Sequence, residues 1–238
     1  MIKKLSILVF LAFVLASCAK KTIPSDAAAL GLDYYPTGQG KYVVYEIDSV
    51  LYNDLLHDTT EYKYQIKEKI ADTYTDNSGR PAIRLERYIR KFNPQKPYDS
   101  IPWVMKEVWM VNADNRSVQV LESNVRYTKL SFPIHDKETW NGNALNTIGA
   151  LDYTYSYVDR SETIGNTRFD KVLLVSQKNF STAISYQAYN EKYAKGTGLV
   201  YREIIDVTSA TINPQVPVLM RISKGIVYKQ IYVSSGYE

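Results

Sequence analysis

From residue 41 onward, apolar side chains recur at every second position, the period of an extended strand with one face on a core and one in water. In "EYKYQIKEKI", Tyr62, Tyr64, Ile66 and Ile70 share one face, while Glu61, Lys63, Gln65, Lys67 and Lys69 share the other. "KYVVYEIDSVLY" places Val43, Tyr45, Ile47 and Leu51 on one parity, and "PWVMKEVWMV" does the same for Trp103, Met105, Trp109 and Val111. The segment "TDNSGRPAIRL" supplies a turn at Asp76 to Gly79 followed by a return strand. "LDYTYSYVD" alternates Tyr153, Tyr155 and Tyr157 with polar residues, and four further alternating runs follow before residue 238. The pattern predicts about ten strands with few or no long helices after the amino-terminal segment. Consecutive strands without crossover helices make an antiparallel meander, and so many strands curl into a strongly curved sheet or barrel. The fold class expected is all-β.

The start of the chain follows a different rule. Lys3 and Lys4 precede a run from Leu5 to Ala16 in which every residue except Ser6 is apolar. That run is too short for a membrane-spanning helix, which needs roughly 20 residues, and it has the layout of a signal peptide. It ends in Leu15, Ala16, Ser17 and Cys18, which resembles the lipobox of bacterial lipoproteins. The resemblance implies cleavage between Ser17 and Cys18, a diacylglycerol thioether on the Cys18 sulfur, and acylation, for instance by palmitate, of the new amino terminus. Residues 1–17 are then a signal peptide, residues 18–35 a lipidated tether of small, polar and Gly/Pro-punctuated composition, and residues 36–238 a single β-rich domain. Ala19 stands where an inner-membrane lipoprotein of enteric type carries Asp, and "AKKT" lacks the acidic residues that mark surface export. The expected location is the outer membrane, on its periplasmic face.

Composition narrows the chemistry. Cys18 is the sole cysteine, so its lipidation leaves the domain with no disulfide, no thiolate zinc site and no thiol nucleophile. The formal charge is +4, and loss of Lys3 and Lys4 leaves +2, too little for nucleic-acid binding. The two histidines, His57 and His135, each precede an Asp in polar stretches and read as exposed loop residues. No serine elbow, metal motif or phosphate cradle is present, so no metal and no cofactor is expected. "KYAKGTGLVYRE" reads as a hairpin with its glycines at the turn.

Two carboxylates break otherwise apolar faces: Glu68, in register with Tyr62, Tyr64 and Ile66, and Glu107, between Met105 and Trp109. An inward acid among aromatics either finds a basic partner or binds a polar ligand group, and it serves as a general acid if its pKa is raised. The stripe Trp103, Trp109, Tyr153, Tyr155 and Tyr157 is either half of a β core or the wall of an apolar ligand site.

"DYYPTGQGKYVVYEIDS", "TDNSGRPAIRLERYIR", "WNGNALNT" and "YAKGTGLVYRE" together resemble a family of Bacteroidota lipoproteins with no known activity. The resemblance implies a lipoprotein architecture around a β-rich domain and brings no catalytic residues. The function expected is that of a non-enzymatic cell-envelope module, held on a membrane by its lipid and binding an apolar ligand or an envelope protein through an aromatic face. The alternative is an envelope-polymer hydrolase that uses Glu68 and Glu107.

Overall fold

The structure is a computed structural model in which residues 26–56 and 58–238 are described. Cleavage at Ser17, lipidation of Cys18 and the loop position of His57 concern residues outside that range. Twelve strands follow one another: β1 (Lys41–Asn53), β2 (Asp58–Thr75), β3 (Pro81–Lys91), β4 (Val104–Ala113), β5 (Ser117–Glu122), β6 (Val125–Ser131), β7 (Thr139–Asn141), β8 (Asp152–Ile164), β9 (Thr167–Ser181), β10 (Ser185–Ala194), β11 (Gly198–Thr208) and β12 (Lys224–Tyr237). All belong to one antiparallel sheet in which each strand pairs with its sequence neighbours, β6 and β7 excepted, and β12 returns to pair with β1. The all-β expectation holds. The two strands that the alternation did not reveal are β6 and the three-residue β7.

The free edges of the sheet, β6 and β7, meet at a seam. The Thr128 amide donates to the Gly142 carbonyl at 2.9 Å, and the Trp140 indole Nε1 donates to the Thr128 carbonyl at 2.8 Å. Tyr155 adds a second clasp, its hydroxyl donating to the Ser131 carbonyl and accepting from the Ser131 amide, each at 2.8 Å. The result is a nearly closed barrel, which removes the unpaired edges that a long open sheet would expose.

One parity of each strand fills the interior with a continuous core that includes Val43, Tyr45, Ile47, Ile66, Val111, Tyr155, Leu173 and Tyr193. A smaller apolar cluster lies on the outside, where Ile164, Val172, Ala194 and Val200 gather under the β8–β9 hairpin. Phe169 there meets Tyr232 edge-on at 5.1 Å.

Because successive strands alternate direction, the connections fall at two ends of the barrel. At one end the chain before β1 forms a plug. Helix α1 (Ala27–Leu30) is capped by the Asp26 side chain, which accepts from the Ala28 amide, and it stops at Gly31 with φ +80°. A 3-10 turn (Leu32–Tyr34) follows. The Leu30 carbonyl accepts from the Ile134 amide, and the Asp33 carbonyl accepts from the Gly196 amide. Tyr34, 1% exposed, donates its hydroxyl to Asp159 Oδ1 at 2.9 Å. Residues 27–34 were expected to be tether, but these contacts make them part of the domain. Small residues such as "AAALG" read as linker in sequence, and only the two tyrosines that follow hint at burial. Residues 26–238 supply the plug, all twelve strands and the core between them.

Candidate functional site

The barrel interior holds a cluster of charged side chains. Glu68 (β2), Arg87 (β3) and Glu107 (β4) sit directly opposite one another on three adjacent strands. The Arg87 guanidinium spans both carboxylates, Nε to Glu68 Oε1 at 2.9 Å and Nη1 to Glu107 Oε1 at 2.5 Å. A second group crosses the interior. Arg202 (β11) reaches Glu191 of the adjacent β10 at 2.7 Å and Glu122 of the distant β5 at 3.0 Å. Lys129 (β6) contacts the same two carboxylates, each at 2.9 Å, and the Tyr193 hydroxyl donates to Glu191 Oε2 at 2.7 Å. The groups meet at Trp109, whose ring centroid lies 3.7 Å from the Arg87 guanidinium carbon and 5.9 Å from that of Arg202.

The cluster neutralises itself. Four carboxylates, Glu68, Glu107, Glu122 and Glu191, face three cations, Arg87, Lys129 and Arg202, and Lys106 reaches Glu107 as a fourth at 2.5 Å. Burial opposes the charge of Glu122, but Arg202 and Lys129 more than offset it and hold its pKa at about 2. For Glu191 burial again opposes ionisation, and Arg202 and Lys129 again bring the pKa below the ordinary carboxylate range. A depressed folded-state pKa stabilises the fold above the unfolded value and ceases to do so as pH falls. The unfolding free energy should therefore drop between about pH 5 and pH 2, with Glu122 contributing on the order of 3 kcal/mol. Denaturant titrations across that range check this, and a flat profile would contradict the clustered charges.

Little room remains beside these groups. A cavity of about 50 Å³ lies between the plug and the cluster, bordered by Tyr35, Tyr45, Glu68 and Leu199. It accommodates a few waters but not an acyl chain or a sugar ring. Arg202 Nε and Gln230 Nε2, on residues paired across β11 and β12, have no protein acceptor among the described residues.

The predicted aromatic stripe divides. Trp109, Tyr153 and Tyr155 are buried inside. Trp103 is not: a bulge pairs Arg87 with Glu107 but Tyr88 with Met105, so Lys106 is the extra residue and parity reverses there. Trp103 and Met105 consequently face outward, contrary to expectation. Trp103 lies over Arg90 at 4.4 Å and Lys67 at 5.5 Å, and Lys67 is also 5.8 Å from the Tyr42 ring and 5.2 Å from the Tyr88 ring. Tyr157 leaves the stripe because its φ is +59°, as is that of Asp159, which kinks β8 and turns the ring 55% exposed beside Arg160. His135 is exposed, as its polar surroundings suggested.

Glu68 and Glu107 do share one site, as the hydrolase reading required, and Arg87 bridges them. Burial raises the Glu107 pKa, and Lys106 and Arg87 together bring it below the ordinary value. A proton donor at neutral pH needs the opposite shift. Arg87 holds one oxygen of each carboxylate, Oε1 of Glu68 and Oε1 of Glu107.

Sequence reasoning missed Arg87, Glu122, Lys129, Glu191 and Arg202. The available signal was parity: Arg87 lies between Leu85 and Ile89 on the apolar face of "AIRLERYIR", and Glu191 shares its face with Tyr193. Comparison of this chain with protein-family models, with curated proteins and with solved structures finds no match.

Proposed function

We propose that this chain is a lipid-anchored cell-envelope protein that serves as a binding or structural module through the outside of its barrel. The observation that carries the reading is the filled interior. Its charges are paired with one another, one end is plugged, and the cavity beside Glu68 holds only a few waters, which supports contact with other molecules through the outer surface. On the outside, Trp103, Tyr42 and Tyr88 gather around Lys67, a suitable surface for an envelope protein partner.

The anchor rests on Leu15, Ala16, Ser17 and Cys18 directly after the apolar run, and on the likeness to Bacteroidota lipoproteins. Several acyl chains on Cys18 give stable attachment where one chain alone is marginal. The outer membrane, periplasmic side, is the location proposed, from Ala19 and the absence of acidic residues beside it. Mass spectrometry of the purified protein should find acyl mass on an amino-terminal Cys18, and Cys18→Ala should move the protein to the soluble fraction. A free Cys18 thiol in membrane-bound protein would defeat the proposal.

A further inference from the structure

The two ends of the barrel differ in chemistry. At the plugged end the β2–β3, β4–β5, β6–β7, β8–β9 and β10–β11 connections, residues 76–80, 114–116, 132–138, 165–166 and 195–197, carry no exposed large apolar side chain. At the far end five of the six connections carry one. They are Leu55 between β1 and β2, Phe92 at the β3 exit, Ile148 between β7 and β8, Ile184 between β9 and β10, and Ile212 with Met220 between β11 and β12. Leu55 is 92% exposed, Met220 78% and Ile212 73%. Only the tight Ser123–Asn124 turn lacks such a tip.

The tips of the β11–β12 connection are held in place. Arg221 donates to the Val216 carbonyl at 2.9 Å, to the Ala183 carbonyl at 2.6 Å and to the Thr211 carbonyl, which fastens the β11–β12 connection to the β9–β10 turn. The connection therefore presents Ile212 and Met220 outward as built projections.

We propose that the far end of the barrel is a membrane-contacting face whose apolar tips enter the boundary between headgroups and acyl chains. Two observations select a bilayer over a protein partner. The apolar side chains sit on separate connections distributed around the ring, whereas a protein interface concentrates them in one packed centre with a polar rim. The connections are also almost free of charge. Residues 142–151, 182–184 and 209–220 have no charged side chain, and the remaining connections balance Lys96 and Arg221 against Asp54 and Asp99. Nothing there attracts anionic lipid, so the match is to a neutral bilayer, with burial of apolar surface supplying the affinity. The face is at the end opposite the segment that leads to Cys18, so the anchor does not account for it.

The test uses the chain from Asp26 to Glu238, which omits Cys18 and the signal peptide, so its result is independent of the anchor. It should co-float with phosphatidylcholine vesicles to the same extent in low and high salt. Leu55→Asp with Met220→Asp should weaken the partition about tenfold or more while leaving circular dichroism and the melting temperature unchanged. Tyr74→Asp, at the plugged end, should leave the partition as it is. Failure of the wild-type chain to float with phosphatidylcholine would overturn the proposal. So would flotation only with anionic lipid, equal loss from Tyr74→Asp, or a concentration-dependent dimer in light scattering that Leu55→Asp dissociates.

Discussion

Arg202→Met is expected to lower the free energy of unfolding by about 3–5 kcal/mol at neutral pH, the largest loss from any single change in the charge cluster. The guanidinium is within 3.0 Å of Glu122 and 2.7 Å of Glu191, and Glu191 is almost wholly buried. Methionine fills much of the same space but leaves two inward carboxylates to Lys129 alone. One of them must then take up a proton or stay charged without adequate compensation, and both are costly in a dry interior. Replacing the whole set, with Glu122→Leu, Lys129→Met and Glu191→Leu added to Arg202→Met, should recover a large part of the loss. The cost of Arg202→Met comes from orphaned charges and not from lost volume. Urea unfolding of the single and quadruple variants measures both.

The second large effect concerns the seam. Gly142 accepts from the Thr128 amide and donates to the Leu151 carbonyl, so its backbone joins β6 to β7 at the one place where the sheet does not close on itself by strand pairing. A Cβ on Gly142 would come within 2.5 Å of three ring atoms of Tyr153, which is buried and packed against Trp140 at 5.8 Å. Gly142→Ala should therefore cost about 3 kcal/mol, at the upper end for overpacking, because the clash is with a rigid buried ring. Tyr153→Leu placed with it should restore part of the stability. Hydrogen exchange distinguishes this damage from a general loss: the Thr128 amide should lose protection well before amides of β1 and β12, which lie across the barrel.

How much of this was visible in the sequence depends on which residues are asked. Period two is a local property, so strands such as β2, with Tyr64 and Ile66 inward against Lys63 and Gln65, were legible. So were the hairpins at Gly79 and at Gly196 to Gly198, where positive φ marks the turn. The same alternation misplaced Trp103, because one bulged residue at Lys106 reverses every side chain before it, and nothing in "WVMKEVW" announces a bulge. Tyr157 was lost to a backbone kink in the same way.

The charge cluster was half legible. Glu68 and Glu107 stood out as faults in apolar faces, and their partner Arg87 lay one strand away. Glu122 and Arg202, however, are 80 positions apart and meet only because the barrel brings β5 opposite β11. Long-range pairing of that kind has no local trace. The plug was misread for a related reason: "AAALGLDYY" has linker composition, and its order comes from Ile134, Asp159 and Gly196, all remote in sequence.

The account stands on the claim that the interior charges are the barrel's own cross-brace and not a site awaiting a ligand. A double-mutant cycle between Glu122 and Arg202, read by urea unfolding, tests it most directly. With Glu122→Gln, Arg202→Met and the pair combined, the account predicts a coupling energy of about 1.5 kcal/mol or more. Additive losses, within about 0.5 kcal/mol, would mean that the two side chains do not brace the barrel and would contradict it.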